Sequence, residues 1–188
     1  MISKLIKYVA NVTLAAVMLF SASSSFAATF ESQLSMDGQS LYLNGEGPRK
    51  KAFIKLYDTA LYLTEKGSDA EAIVAADHAM MISIVVKSKL VTAKRITEAF
   101  VEGLEKSTGG NLLPIKAEMN SFLSVFEAGV AKGDHFDFLY APNKGTAISK
   151  NGTAEKTIAG LNFKQALFGI WLSKDPIAKK LKAQLLGQ

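Results

Sequence analysis

The chain has 188 residues, 48% of them hydrophobic, with 22 Lys and Arg against 17 Asp and Glu, two His, no Cys and a formal net charge of +5. The lack of cysteine excludes disulfides, thiol catalysis and thiolate metal sites. The cations are spread along the chain, the longest runs being Arg49-Lys50-Lys51 and Lys179-Lys180, so the sequence offers neither the basic stripe nor the recognition module that nucleic-acid binding requires.

Residues 1–27 read as a leader. Lys4 and Lys7 stand ahead of an apolar stretch from Val9 to Phe20, interrupted by Asn11 and Thr13, and Ser25-Phe26-Ala27 closes it. Charge, length and a small-residue end predict a signal peptide, cleavage after Ala27 and a periplasmic protein. The run is shorter than the roughly 20 residues of a spanning helix, and no later run is longer, so no transmembrane segment is expected after signal removal. Residues 28–188 predict a single domain, long enough to rest on a hydrophobic core.

The first half of that domain reads as strands. Residues 29–36 lead to the turn pair Asp37-Gly38, residues 40–44 follow, and a glycine turn Asn44-Gly45-Glu46-Gly47-Pro48-Arg49 is expected to launch a long strand over 50–64 with Arg49 at its root. Residues 65–69 are polar and lead through a short alanine-rich piece to 80–86, apolar on both faces and so predicted to be a central strand. Thr92 then caps a predicted helix with Ala93, Ile96, Phe100 and Leu104 at helical spacing, ended by Gly109-Gly110.

Pro114 opens a second predicted helix, whose stripe Ile115, Met119, Phe122, Phe126 and Val130 runs to Gly133. Phe136, Phe138 and Tyr140 alternate with polar neighbours, and Asn143-Lys144-Gly145 and Asn151-Gly152 are hairpin turns, so 135–159 predicts a three-stranded antiparallel meander. Two helices close the chain, 163–172 capped by Asn162 and a last one opened by Asp175-Pro176 and ended by Gly187. The fold class is α+β, an antiparallel sheet with helices packed on one face.

Little in this pattern supports a metal or cofactor. His78 and His135 have no partners at metal-ligand spacing, no Gly-x-Ser-x-Gly elbow is present, and Gly45-Glu46-Gly47 leads into a strand where a nucleotide loop leads into a helix. Asn151-Gly152-Thr153 matches a glycosylation sequon, which the hairpin turn explains without a glycan. Arg49 is the informative residue. On a regular strand Arg49, Phe53, Tyr57 and Leu61 share one face, and an arginine fork beside a phenol can hold one carboxylate. The competing reading is an exposed arginine beside two lysines at a turn.

The segment from Gly45 to Leu63, with its glycines, Arg49 and the Ala-Leu-Tyr-Leu ending, resembles the chalcone isomerase superfamily, and within it the exported bacterial chalcone-isomerase-like branch. Residues 163–172 with Leu185-Leu186-Gly187, and Lys132-Gly133-Asp134 ahead of the meander, are similar to that branch as well. The resemblance implies an open-faced β-sandwich, a large antiparallel sheet with helices on one side and an apolar cleft for the ligand between them. In the plant enzymes it implies an intramolecular ring closure, in which a phenolate attacks an enone and an arginine matching Arg49 stabilises developing negative charge.

The rest of the catalytic set is not matched. Its threonine falls on Tyr57, its tyrosine and asparagine near Thr92 and Ala99, and its late Thr or Ser near Ile170; no Tyr lies between Tyr62 and Tyr140 and no Asn between Asn44 and Asn111. In the superfamily's fatty-acid-binding branch an arginine and a tyrosine hold the carboxylate, a pair that Arg49 and Tyr57 would reproduce. Three readings follow. The first is a periplasmic binder of a small amphipathic carboxylate such as a fatty acid, held by Arg49 and Tyr57. The second is an isomerase or intramolecular lyase acting on an enone, with Arg49 as its catalytic residue. The third is an interaction module at a membrane or protein surface, presenting Lys179, Lys180 and Lys182.

Overall fold

A computed structural model of the protein describes residues 30–188 apart from residue 37. The predicted leader therefore lies outside the described residues. Seven strands, β1 (Gln33–Met36), β2 (Gln39–Lys51), β3 (Ile54–Leu63), β4 (Met80–Val86), β5 (His135–Ala141), β6 (Gly145–Lys150) and β7 (Thr153–Ile158), form one antiparallel sheet whose spatial order is their chain order. Helices α1 (Ala70–Ala75), α2 (Ala93–Ser107), α3 (Lys116–Leu123), α4 (Leu161–Leu172) and α5 (Lys179–Leu185) interrupt and close the series.

Side-chain alternation decides which face the helices cover. Leu61, Ile82, Ile84, Phe136, Phe138 and Ile148 share one face and pack with Phe100, Leu104, Phe122, Phe163, Leu167 and Trp171 into the main core. The opposite face carries a smaller cluster of Leu41, Ala60, Tyr62 and Met81, with Phe30 and Ala79. β4 contributes to both, which is why it reads as an unbroken apolar run.

The largest departure from the sequence reading is in β2. The expected glycine turn is not a turn: residues 44–49 lie inside one long strand, and the chain reverses later, at Ala52-Phe53, where Ala52 takes φ +52°. Gly45 and Gly47 are required by a close approach instead. A Cβ on Gly45 would stand 2.1 Å from the Gln184 carbonyl oxygen and 2.8 Å from that of Leu185, and one on Gly47 would stand 2.4 Å from Gln184 Oε1. The C-terminal helix α5 thus lies directly on β2. Asn44, at a bulge between Leu43 and Gly45, clamps the contact: its Nδ2 donates to the Leu185 and Gly67 carbonyls at 2.8 and 2.9 Å, and its Oδ1 accepts from Gly67 N at 2.8 Å. Pro48 is tolerated because β1 pairs only with Gln39–Tyr42, so β2 has no strand on that edge at Pro48.

Helix boundaries shift for local reasons. α2 begins as expected, with Thr92 Oγ1 accepting from Arg95 N at 3.4 Å. The stripe from Ile115 to Val130 is not one helix: α3 stops at Leu123 between two 3-10 turns, Leu113–Ile115 and Ser124–Phe126, with Ser124 Oγ donating to the Ser121 carbonyl at 2.9 Å. α4 is preceded by Gly160 at φ +101°, and Asn162 lies inside the helix. Asp175-Pro176 does not open the last helix, because Ile177 N donates to the Ile170 carbonyl at 3.0 Å and folds that segment back onto α4 before α5 starts at Lys179. The meander over 135–159 stands as expected.

The short helix α1 is held from both ends. Asp69 Oδ1 accepts from Ala72 N at 3.0 Å, and the fully buried Lys164 on α4 donates from Nζ to the carbonyls of Ile73, Val74 and Ala76 at 3.2, 2.8 and 2.6 Å. A cation at a helix C-terminus is favoured by the exposed carbonyls and the dipole. Burial pushes the Lys164 ammonium down to about 8, against an upward pull from Asp77.

The β2–α5 contact predicts an order of stabilities. We expect Gly45→Ala to cost about 1–3 kcal/mol, because its methyl meets rigid backbone. Gly47→Ala should cost less, because its methyl meets the end of a flexible glutamine, and Gln184→Ala should recover part of that loss. Chemical denaturation of the two variants and the double variant checks both statements, and equal losses at Gly45 and Gly47 would count against the close approach as the reason for these glycines.

Candidate functional site

The β2–β3 hairpin builds the site. Its register sets Arg49 opposite Tyr57, with a second irregularity between Arg49 and Lys50 just before the turn. The expected grouping along a single strand is corrected here, since Arg49 belongs to β2 and Tyr57 to β3. They share a face because they are cross-strand partners. Phe53 does not join them; it is fully exposed at the hairpin tip, while Leu61 is buried in the core.

Arg49 is half-buried, and its Nη1 donates to the Lys50 carbonyl at 2.5 Å. Among the described residues no carboxylate forms an ion pair with it. Tyr57 is buried, and its hydroxyl oxygen accepts from Trp171 Nε1 at 3.2 Å. That contact uses the oxygen and leaves the hydroxyl hydrogen to donate. Burial pushes the phenol up to about 12, although the Trp171 hydrogen bond and the Arg49 charge both pull it down. Tyr57 is therefore a neutral donor at physiological pH and does not supply a base.

Both residues open onto a cleft of about 470 Å³ between the hairpin and the first half of α2. Ile54, Leu56, Leu90, Val91, Ile96 and Ile177 give it apolar wall, and Arg95, Glu98 and Glu102 stand along the α2 side. A volume of that size lies in the usual range for small-molecule sites, about 300–1,000 Å³. Through Trp171, the hydrogen-bond partner of Tyr57, the cleft wall connects to an aromatic core. Phe100 packs on Phe122 and Phe126 with centroids 4.8 and 5.1 Å away, and Phe138 and Trp171 stack at 6.3 Å.

Arg95 escaped the sequence reading. It brings a second guanidinium to the cleft from the first turn of α2, with Nη1 donating to the Leu90 carbonyl at 3.1 Å. The signal was available in part, since Arg95 lies one position before Ile96 and four before Ala99, both of which line the cleft. Only the docking of α2 against the hairpin turns that spacing into a site.

The positions aligned with the ring-closing residues have other duties. Thr92 caps α2, Ala99 offers a methyl to the cleft wall, and Ile170 is buried against Gly103, where an added Cβ would come within 2.7 Å of Ile170 Cγ2. His78 is exposed, and His135 Nε2 lies 3.0 Å from Asp137 Oδ1, on the sheet face away from the cleft. On α5, Lys179 and Lys180 are exposed, while Lys182 Nζ donates to the Ser173 carbonyl at 2.9 Å. Among the described residues no helix is long and apolar enough to cross a membrane, and no three His, Asp or Glu side chains gather as metal ligands.

A seven-stranded antiparallel meander with helices packed on one face, and a cleft opening where the β2–β3 hairpin meets α2, defines an α+β protein of the open half-barrel type. The chain belongs to the chalcone isomerase-like family, which it matches over residues 22–187. Among solved structures it is similar to a fatty-acid binding protein of Arabidopsis thaliana, at 15% identity and a TM-score of 0.63, over 82% of this chain and 95% of that one. At that identity the likeness is one of fold. No curated protein matches the sequence.

The raised Tyr57 value has a consequence for stability. The group ionises at about 12 in the fold and at 10.0 otherwise, so its contribution is complete below pH 10 and is lost as pH rises toward 12. We expect Tyr57→Phe to remove about 2 kcal/mol of that alkaline loss, measured as a smaller fall in unfolding free energy between pH 9 and 12 than in the unaltered protein. Identical pH profiles would show that Tyr57 is not the protonated, buried phenol described.

Proposed function

We propose that this protein binds a small amphipathic carboxylate, of the fatty-acid type, in the cleft between the β2–β3 hairpin and α2. The observation that carries the reading is the Arg49–Tyr57 pair: a guanidinium without a carboxylate partner among the described residues, facing a neutral phenol with a hydrogen to give, at the inner end of an apolar wall. The Arabidopsis thaliana protein of the same fold is a fatty-acid binding protein, which agrees with this ligand class.

Magnitudes divide the labour. A charge-assisted hydrogen bond contributes about 1.5–3 kcal/mol. Each buried methylene contributes about 0.8 kcal/mol, so a ten-carbon chain would supply roughly 8 kcal/mol before the cost of association. The wall sets affinity, and Arg49 with Tyr57 sets which end points inward. Because Phe100, Phe122, Phe126 and Trp171 already fill the space beyond Tyr57, the tail lies along the hairpin toward the cleft mouth. The pattern of residues 1–27 supports action in the periplasm after export, with the mature chain beginning at Ala28.

Ring closure of an enone is poorly served by this site. By the resemblance it would need a tyrosine near Thr92, an asparagine near Ala99 and a Thr or Ser near Ile170, and Tyr57 is held protonated.

Trp171 is the chain's single tryptophan and touches Tyr57, so its emission reports on the site. Titration with a medium-chain fatty acid should change that emission saturably. Arg49→Ala is expected to raise the dissociation constant about tenfold or more, and Tyr57→Phe by a smaller factor. An unchanged affinity in Arg49→Ala would reject Arg49 as the carboxylate anchor. Loss of enone absorbance at an Arg49-dependent rate would instead favour the isomerase.

A further inference from the structure

The hairpin that carries Arg49 ends in a surface the ligand reading does not use. Among the described residues five large apolar side chains are exposed, and three of them, Phe53, Ile54 and Leu90, stand at this one end of the molecule. Phe53 has its whole side chain in solvent. Ile54 and Leu90 also line the cleft, so the apolar tip is continuous with the cleft mouth.

Cations surround it. Lys50 and Lys55 are direct cross-strand partners, and Lys51 is paired with Ile54 at the last rung before the turn. Like charges directly opposite each other in a ladder are destabilising, so this end of the hairpin gains from an external anion. Asp58 answers Lys55 and Lys87 at 2.8 and 3.5 Å. Lys50, Lys51 and Lys89 have no ion pair among the described residues. The acids that face the cleft from α2 are engaged on their own helix, Glu98 with Lys94 at 3.9 Å and Glu102 with Lys106 at 2.9 Å.

We propose that the β2–β3 hairpin tip, together with Leu90, docks this protein on an anionic lipid bilayer, with Phe53 and Ile54 inserted among the acyl chains and Lys50, Lys51, Lys55 and Lys89 on the headgroups. An apolar tip ringed by lysine is the arrangement that lies in a bilayer interface, where burial of apolar area and attraction to anionic headgroups add. A folded acidic protein would satisfy the lysines but offers no general reason for a phenylalanine held entirely in water. The proposal deepens the ligand reading by naming the source of the amphipath, since docking in this pose turns the cleft mouth toward the membrane. It also separates from that reading: docking uses the tip lysines and Phe53, whereas carboxylate binding uses Arg49 and the buried Tyr57. It places membrane contact at the hairpin, away from Lys179, Lys180 and Lys182 on α5.

The chain has no cysteine among its 188 residues, so one can be introduced and labelled cleanly. Ala52→Cys and, as a control on β7, Glu155→Cys are each labelled in the full chain with an environment-sensitive fluorophore and mixed with vesicles. One set is phosphatidylcholine alone, and the other contains about a third phosphatidylglycerol. The expected result is a blue-shifted, enhanced signal at position 52 on the anionic vesicles only, with position 155 unchanged. Charge reversal at Lys50, Lys51 and Lys55 should weaken the response about fivefold or more per lysine, and Phe53→Ser/Ile54→Ser should abolish the blue shift, while Tyr57→Phe leaves both intact. The proposal is overturned by any of four results. These are no response at position 52, an equal response at 155, an equal response on neutral vesicles, and a signal that grows with protein concentration without lipid, which would assign the tip to a second copy of the chain.

Discussion

The pairing of β2 with β3 is the constraint on which the site depends. It sets the side of the sheet onto which Arg49 projects, and a slip of one residue would turn Arg49 away from Tyr57 and from the cleft. The register is held from outside the ladder as well as within it. Bulges at Asn44 and beyond Arg49 fix the strand's phase, and Asn44 ties that phase to the backbone of α5 and to the loop at Gly67. Glycines at 45 and 47 let α5 approach closely enough for those hydrogen bonds to form. The C-terminus of the chain thereby stabilises the geometry of a pair of residues more than a hundred positions earlier.

Inward of that pair the molecule is closed. Phe100, Phe122, Phe126, Phe138 and Trp171 meet with centroids 4.8 to 6.3 Å apart, and contacts of this kind add to the burial of the rings themselves. The Trp171 indole N–H at the edge of this core donates to the Tyr57 hydroxyl. That hydrogen bond positions the phenol, and burial, against the pull of Trp171 and Arg49, keeps it neutral, the state of a hydrogen-bond donor. Lys164 shows the same economy elsewhere in the core. Its buried ammonium is surrounded by three carbonyls at the end of α1, so it belongs to the scaffold although it titrates in an unusual range.

Family membership fixes less about chemistry than about shape. The chain shares the chalcone isomerase-like pattern over nearly its whole length, yet the positions that would surround a reacting enone hold a helix cap, a methyl group and a core isoleucine. What survives is a cationic group beside an apolar wall. The proposed binding of an amphipathic anion, and its proposed supply from a bilayer at the exposed tip, both rest on that arrangement.

Much of the architecture was legible because it rests on short-range periodicity. The unbroken apolar run in β4, the alternation of Phe136, Phe138 and Tyr140, the Asn-Gly turns and the Thr92 cap each state a local preference that the fold obeys. The same local rules misread Gly45 and Gly47 as a turn, because a glycine needed for backbone flexibility and one needed for close contact look alike in sequence; α5, which decides between them, is about 140 residues away. Asn162 likewise looked like a helix cap, although α4 starts one residue earlier after Gly160, and Asp175-Pro176 looked like a helix start until Ile177 folded that segment back onto α4. The sequence by itself determined the fold class, which follows from residue identity and local spacing, and it put forward Arg49 and Tyr57 as candidates. Tertiary structure alone decided that Arg49 and Tyr57 meet across two strands, that Arg95 joins their cleft and that Phe53 stands in solvent among lysines, because each depends on register and helix docking, which are long-range contacts that no local pattern encodes.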